Sequence, residues 1–163
     1  MSIKILKYSN QTLLDLADFT NDISTKNGAT SSEVEISVAS GKSISVRLSK
    51  LETIELHNDK ALTVTVYMGN RRGIASTSDF NLPAIKDCVL AACQIAKYTA
   101  EDEAFGLAEA HLYSKTTKDL ELHHSFDATE QFLIDTATSC EAYALDFSEK
   151  INNSEGAQLN CSE

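Results

Sequence analysis

The sequence contains few residues that break regular structure, with one proline and six glycines among 163 residues. This scarcity excludes a collagen-like or linker-rich, low-complexity chain. No run of 18 apolar residues is present, so the sequence offers no candidate for a membrane-spanning helix. The first four residues lack the apolar core of a secretory signal, and we expect a cytoplasmic protein. A hydrophobic fraction of 42% and a charged fraction of 23% are ordinary for a globular protein.

The four cysteines form no Cys-x-x-Cys pair; they are Cys88, Cys93, Cys140 and Cys161. On a helix, two residues five apart lie about 140° from each other, so Cys88 and Cys93 are poorly placed to share a metal ion. We therefore interpret the cysteines as small, reduced core residues.

Basic residues are scarce in the last part of the chain. Residues 1–118 carry 14 acidic and 13 basic residues, whereas Asp119 onward carries ten acidic residues and one basic residue, Lys150. This change predicts a domain boundary near residue 118, and the late carboxylates are interpreted as a solvated face. Neither part has the basic surface that a phosphate backbone requires, so we expect no direct binding to nucleic acid.

Apolar periodicity predicts two helices around a set of strands. The first helix covers residues near 10–27, with Asn10 as its N-cap, and the second covers 82–99, with Asn81 as its N-cap and Pro83 in its first turn. Residues 33–78 alternate with period two, which predicts four to six antiparallel strands. The predicted turns are Gly41-Lys42, Asn58-Asp59 and Gly69-Asn70. The pattern is typical of an α+β fold, an antiparallel meander sheet flanked by helices.

Residues 101–122 read as a loop with one short strand. A third helix is predicted from Asp127, with Glu130 at capping-box spacing, to near Lys150, and a further strand begins after Ile151. The inward residues of this third helix are predicted to be Leu133, Ala137, Cys140 and Ala144. We expect the sheet that would pack against these apolar residues to lie outside the chain, so that they stay exposed and promote self-association.

No group of residues forms a recognisable catalytic or metal site. The four histidines, at 57, 111, 123 and 124, lack the spacing of zinc ligands, so we expect no metal in this chain. Ser76, Thr77 and Ser78 are not surrounded by a Gly-x-Ser-x-Gly elbow. Residues 69–73 are too short for a phosphate-binding loop and lie between strands rather than before a helix. We therefore assign no catalytic residue.

The hairpin at residues 62–78 is the most distinctive candidate for a binding role. Arg71 and Arg72 at its turn could hold a peptide carboxylate or an acidic residue of a partner. The small side chains that follow would let a peptide backbone approach the strand; with the arginines they are Arg71, Arg72, Gly73, Ala75, Ser76, Thr77 and Ser78. Two simpler readings stay open: a solvated hairpin tip, and small residues packed under the second helix.

A family resemblance extends over nearly the whole chain. It is carried by Glu33-Val34, Gly41, Val46-Arg47, Glu52, Glu55, Asn58-Asp59, Leu62, Val66-Tyr67, Asn70-Arg71, Gly73, Ala75 to Asp79, Ala91-Ala92, Ile95-Ala96, Tyr98-Thr99, Asp102, Gly106 to Ala108 and Ile151 to Gly156. In their order and spacing these residues resemble the front part of TldD/PmbA family proteins. The Asn-Arg turn and the Ala-Ser-Thr-Ser-Asp run favour the PmbA (TldE) branch.

The resemblance implies a part in a peptidase complex. In this family a TldD-like subunit holds zinc through a His-Glu-x-x-x-His motif and a later cysteine, and its PmbA-type partner lacks that motif. Residues 1–118 would then be the family's N-terminal domain, and 119–163 the start of the next domain. The expected partners are a TldD-like subunit and an unfolded or extended peptide, with zinc in the partner. Two alternatives stay open: a non-enzymatic regulator of the kind the label "modulator of DNA gyrase" describes, and a free-standing peptide-binding module.

Overall fold

The computed structural model of the protein describes residues 8–114, 116, 118–122 and 128–162. The helices are α1 (Asn10–Lys26), α2 (Leu82–Tyr98) and α3 (Glu130–Asp146), and the strands are β1 (Ser31–Arg47), β2 (Lys50–Met68), β3 (Arg71–Thr77) and β4 (Ala157–Ser162). The strands form one sheet in the order β3-β2-β1-β4, with antiparallel pairing of β3 on β2 and of β4 on β1. The predicted α+β class is confirmed. No helix in the described part of the chain is long and apolar enough to cross a membrane.

The chain forms two compact units, and both draw on β1 and β2. The α1–α2 unit lies within residues 7–38 and 59–120, and the described residues of the α3 unit lie within 39–58 and 121–163. Each unit is therefore discontinuous in sequence, because the two long strands contribute one half to each. The boundary expected near residue 118 stays a prediction.

The N-cap of helix α1 lies one residue before the predicted one. Its N-cap is Ser9, whose side chain accepts a hydrogen bond from the Thr12 amide, and Asn10 is the first helical residue, which corrects the expected assignment. Gly28, with φ of 93°, follows the helix end in the left-handed conformation that glycine adopts most readily. The predicted stop after Lys26 is thus confirmed.

The core of the α1–α2 unit lies between the helices and one face of the sheet. One group of buried side chains comes from β2 and α2: Val64, Val66, Cys88, Val89, Ala92, Cys93 and Ala96. A second group joins Leu62, Phe80 and Ile85, with Leu13, Leu16 and Phe19 of α1 packed against it. Alternate residues of β2 and successive turns of both helices therefore meet in one apolar layer, as their periodicities predict.

Two predicted turns are wrong, because the strands run through them. Gly41-Lys42 lies inside β1 and Asn58-Asp59 lies inside β2, so residues 33–78 contain three strands rather than four to six. The pairing of Gly41 with Ser162 shows why the chain stays extended there. The actual turn between β1 and β2 is Leu48-Ser49, and both residues have positive φ, 48° and 58°. No strand occurs among the described residues of 101–122, which contain one turn of 3-10 helix at Ala110–Leu112.

Helix α3 packs against strands of this chain, contrary to the expectation that its sheet lies outside the chain. Leu133 and Ala137 pack against Ile44 and Val46 of β1, and Leu159 of β4 also contacts this group. The buried residues of α3 recur every four positions, at Leu133, Ala137 and Glu141.

The predicted inward positions Cys140 and Ala144 on α3 are therefore wrong, because both are exposed. Helix α3 begins at Glu130 with Thr129 as N-cap, whereas the predicted start at Asp127 lies outside the described residues. Of the four free cysteines, only Cys88 and Cys93 are buried.

Candidate functional site

The β2–β3 hairpin belongs to the α1–α2 unit, and its register is regular. Leu62 pairs with Thr77 and Met68 pairs with Arg71, with a pair at every position between them. Strand β3 is the last strand at one side of the sheet, so its outer edge pairs with no other strand in the described part of the chain. An edge of this kind presents backbone N–H and C=O groups that an extended peptide can pair with.

Gly73 and Ala75 face α2. A Cβ atom at Gly73 would lie 2.0 Å from the Ala92 carbonyl oxygen and 2.5 Å from the Ala96 amide nitrogen. Gly73 is buried, and Ala75 packs against the core group of β2 and α2. The backbone of α2 therefore occupies the space that a side chain at Gly73 would need. Contact of these two residues with a peptide stays a prediction.

Arg71 binds the C-terminal end of α2 and the loop behind it. Its Nε and Nη2 atoms each lie 3.2 Å from Oε1 of Glu101, and its Nη1 donates to the Lys97 carbonyl oxygen at 3.0 Å. A cation there also interacts favourably with the partial negative charge of the helix C-terminus. The guanidinium thus has local acceptors, although 41% of the side chain is exposed.

Arg72 points away from α2 and stacks on an aromatic ring. Its guanidinium carbon lies 4.4 Å from the centroid of Phe105, a cation–π arrangement. The loop that carries Phe105 is tied to the hairpin turn by a hydrogen bond from the Asp102 amide to the Asn70 carbonyl oxygen, at 2.9 Å. The two guanidinium groups therefore have different neighbours, Glu101 for Arg71 and the Phe105 ring for Arg72, and a ligand shared by both stays a prediction.

The hydroxyl residues after Ala75 lie at the end of β3. Ser76 and Ser78 are exposed, whereas the Thr77 hydroxyl accepts a hydrogen bond from the Asp79 amide at 3.1 Å. Asp79 in turn accepts from the Asn81 amide, and Asn81 caps α2 by accepting from the Ala84 amide at 2.8 Å. Thr77 therefore orders the turn that leads into α2.

The described residues contain no group of three or more histidine, cysteine, aspartate or glutamate side chains placed to hold a metal ion. His57 is exposed and its ring lies beside Gly41, and Nδ1 of His111 lies 3.1 Å from a carboxylate oxygen of Glu109. His123 and His124 lie outside the described residues. Burial raises the pKa of the Cys88 and Cys93 thiols, which keeps both in the unreactive protonated form.

The α3 unit contains a buried carboxylate that the sequence reading assigned to a solvated face. Glu141 is 2% exposed, and its two oxygens accept hydrogen bonds from the Leu48 and Ser49 amides, both at 2.8 Å. The Ser49 amide is the strongest cause of a lowered pKa for Glu141; burial opposes it, and the Leu48 amide, Ser154 and Arg47 reinforce it. The carboxylate thus stabilises a turn in which two non-glycine residues adopt positive φ.

One signal could have identified Glu141. It stands four residues after Ala137 and eight after Leu133, so it continues the buried line of α3. The position of Glu141 in this apolar line predicts its burial, whereas its position in an acidic segment does not.

Comparison with known proteins gives consistent matches. A family model described as PmbA/TldA metallopeptidase domain 1 matches residues 32–96. The protein named Metalloprotease PmbA homolog from Haemophilus influenzae is 43% identical over 159 residues, which is 98% of this chain and 35% of that protein. Metalloprotease PmbA from Escherichia coli O157:H7 is 37% identical over 157 residues, covering 96% of this chain and 33% of the other. The chain thus spans about a third of the length of the curated relatives it matches.

Solved structures show the same fold. A protein from Bacteroides thetaiotaomicron, described as a candidate modulator of DNA gyrase, superposes with a TM-score of 0.78 at 24% identity, over 94% of this chain and 34% of that one. TldE from Thermococcus kodakarensis superposes with a TM-score of 0.65 at 16% identity, over 90% and 36%. The family model and the two PmbA relatives, which align along nearly the whole chain, establish that this chain belongs to the PmbA/TldD family.

Proposed function

We propose that this chain is the front part of a non-catalytic PmbA/TldE-type subunit of a zinc-dependent peptidase complex. A TldD-like subunit would hold the zinc, and the complex would cleave unfolded or extended peptides. The observation that carries the proposal is the alignment of 98% of this chain with a protein named Metalloprotease PmbA homolog. The chain would contribute scaffold and part of the substrate cleft.

The free edge of β3 supports the second half of the proposal. A peptidase needs its substrate extended, and an edge strand holds a chain in that form through backbone hydrogen bonds that depend little on sequence. The turn of this hairpin is tied to α2 and to the following loop by Arg71 and by the Asp102 amide. A rigid edge costs less conformational entropy when a peptide binds to it than a mobile one does.

The test uses the full-length protein and the TldD-like protein of the same organism. We expect zinc-dependent cleavage of an unstructured peptide by the mixture, with bound zinc assigned to the TldD-like protein after separation. A chelator that removes zinc should abolish cleavage, and re-addition of zinc should restore it. Equal cleavage by the full-length protein alone would contradict a non-catalytic role.

A regulatory role without proteolysis is the competing function. The related structure described as a candidate modulator of DNA gyrase suggests it, although 24% identity supports the fold alone. A net charge of −10 disfavours direct contact with DNA, so such a regulator would act on a protein. Formation of a stable pair without cleavage of any extended peptide would favour this alternative.

A further inference from the structure

The turn between β1 and β2 adopts a backbone conformation that its two residues disfavour. Leu48 and Ser49 have φ angles of 48° and 58°, in the left-handed region, where a Cβ atom crowds the backbone. Hairpin turns with positive φ at both central residues usually contain asparagine and glycine. The Leu48 side chain is 49% exposed, so its burial contributes little to the turn. The conformation therefore requires contacts from outside the hairpin.

Glu141 of α3 supplies these contacts. One of its carboxylate oxygens accepts a hydrogen bond from the Leu48 amide and the other from the Ser49 amide, both at 2.8 Å. Successive backbone N–H groups in a turn form a concavity that binds an anion. Here the anion is a side chain of the same protein, 2% exposed, so water does not readily replace it. The left-handed conformation of the turn is therefore coupled to the negative charge of Glu141.

The rest of the α3 unit is held together by contacts that do not involve Glu141. Ile44 and Val46 of β1 pack against buried apolar residues of α3. The Nε atom of Arg47 donates to the Ser154 carbonyl oxygen at 3.1 Å, immediately before the turn. Strand β1 is thus fixed up to Arg47 whether or not the turn keeps its conformation. Loss of the Glu141 contacts would therefore open the turn without unfolding the unit.

The groups around Glu141 keep its carboxylate ionised at neutral pH. The Ser49 amide is the largest cause of its lowered pKa, and Arg47 is the charged side chain that adds to it among the described residues. Nη2 of Arg47 also lies 3.8 Å from a carboxylate oxygen of the exposed Glu155. The contacts to the turn are therefore complete at neutral pH, and protonation weakens them only in acid, below the ordinary pKa of 4.5.

We propose that Glu141 is a latch for the β1–β2 turn: when its carboxylate is neutralised, Leu48 and Ser49 leave the left-handed conformation while the α3 unit stays folded. A neutral oxygen accepts a hydrogen bond more weakly than a carboxylate does, so less energy remains to offset the disfavoured backbone. The latch is closed at neutral pH and opens in acid. This inference does not depend on the proposed peptidase role, because it rests on contacts within the α3 unit.

The test compares the full-length protein with its variant Glu141→Gln by hydrogen–deuterium exchange resolved to single residues. The variant keeps the shape of the side chain, but its NH2 group would face one of the two amides, donor against donor. The Leu48 and Ser49 amides lose their acceptor in any case, so the first residues of β2, 50–52, report the conformation of the turn. At neutral pH they should exchange at least about fivefold faster than in the parent, whereas Ile44 and Val46 should not change. Glu149→Gln is the matched control, because Glu149 is exposed, and it should exchange as the parent does.

A second pair of variants separates backbone strain from the loss of two hydrogen bonds. Leu48→Asn/Ser49→Gly supplies residues that adopt positive φ readily. In this background Glu141→Gln should leave exchange at residues 50–52 within about twofold of its own parent, because the turn no longer needs the carboxylate. In acid, exchange corrected for the intrinsic rate should rise at residues 50–52 of the natural sequence and stay constant in the Asn-Gly variant.

Three results would overturn the proposal. Unchanged exchange at residues 50–52 in Glu141→Gln would show that the turn does not need the carboxylate. Equal acceleration at Ile44 and Val46 would show that the whole unit opens and that no local latch exists. The same acceleration in the Asn-Gly background would show that the disfavoured backbone does not drive the opening.

Discussion

Substitution of Gly73 by alanine tests how closely α2 approaches the hairpin. The added methyl group would lie 2.0 Å from the Ala92 carbonyl oxygen and 2.5 Å from the Ala96 amide nitrogen, where ordinary contacts begin near 3.4 Å. Both neighbours belong to the backbone of a helix, so neither can rotate away as a side chain can. The φ angle of Gly73 lies outside the left-handed region, so alanine is allowed there by the backbone and the effect is one of packing alone.

The magnitude follows from the burial of the site. Overpacking a well-packed core costs about 1–3 kcal/mol. In a chain of this size each kcal/mol lowers the melting temperature by roughly 2–4 °C. The Gly73→Ala variant should therefore melt roughly 2–12 °C below the parent, because α2 must move away from β3 along their whole contact.

Thermal unfolding followed by circular dichroism measures this shift. Gly106→Ala is the matched control, because a Cβ atom there would meet nothing within 4 Å and Gly106 is exposed. It should leave the melting temperature unchanged or raise it slightly, since alanine restricts the unfolded chain. Equal melting temperatures for Gly73→Ala and the parent protein would show that the α2 backbone does not lie against Gly73, and would refute the packing argument.

Three further predictions concern the turns and the metal. Glu141→Gln should lower the melting temperature at neutral pH, because a neutral amide accepts more weakly from the Leu48 and Ser49 amides. The folded state lowers the pKa of Glu141, so the contribution of Glu141 to stability is present above its ordinary pKa of 4.5 and is lost as pH falls below that value. The melting temperatures of the parent and the variant should therefore converge in acid; a constant difference between them down to pH 2 would contradict this. Arg71→Ala should cost about 0.2–1 kcal/mol, less at high salt, because its pair with Glu101 is exposed; denaturant titration at two salt concentrations measures it. This chain alone should retain no stoichiometric zinc after dialysis and cleave no unstructured peptide, as metal analysis and a peptidase assay would show.

Helices α1 and α2 could be predicted because their signals are local. The apolar spacing, Pro83 and the Asn81 cap all lie within or next to the helix they define, and Asn81 indeed accepts a hydrogen bond from the Ala84 amide. The start of α1 was displaced by one residue because Ser9 and Asn10 are both good caps, and sequence alone does not distinguish them. The alternation of residues 33–78 likewise identified extended structure, although not the number of strands.

The lengths of β1 and β2 could not be predicted, because distant residues determine them. Gly41-Lys42 is a good local turn signal, yet Gly41 pairs with Ser162 of β4 and stays extended. Leu48-Ser49 is a poor local turn signal, since two non-glycine residues must adopt positive φ. The hydrogen bonds that stabilise this turn come from Glu141, more than 90 residues later. Local propensity was overridden at both positions by contacts remote in sequence.

The role of the small residues in β3 also could not be predicted from local sequence, and the structure shows which backbone they approach. A small residue in a strand indicates that some backbone comes close, but it does not indicate whether that backbone belongs to a peptide or to the protein itself. At Gly73 the close backbone is that of α2, whereas Ile74, 45% exposed, and Ser76 face the other way. Side chains alternate along a strand, so the two faces of β3 have different neighbours. A peptide that pairs with the outer edge of β3 would lie beside both faces of the strand. Substitutions at Ile74 and Ser76, which lie on the face away from α2, would therefore test peptide binding without disturbing α2.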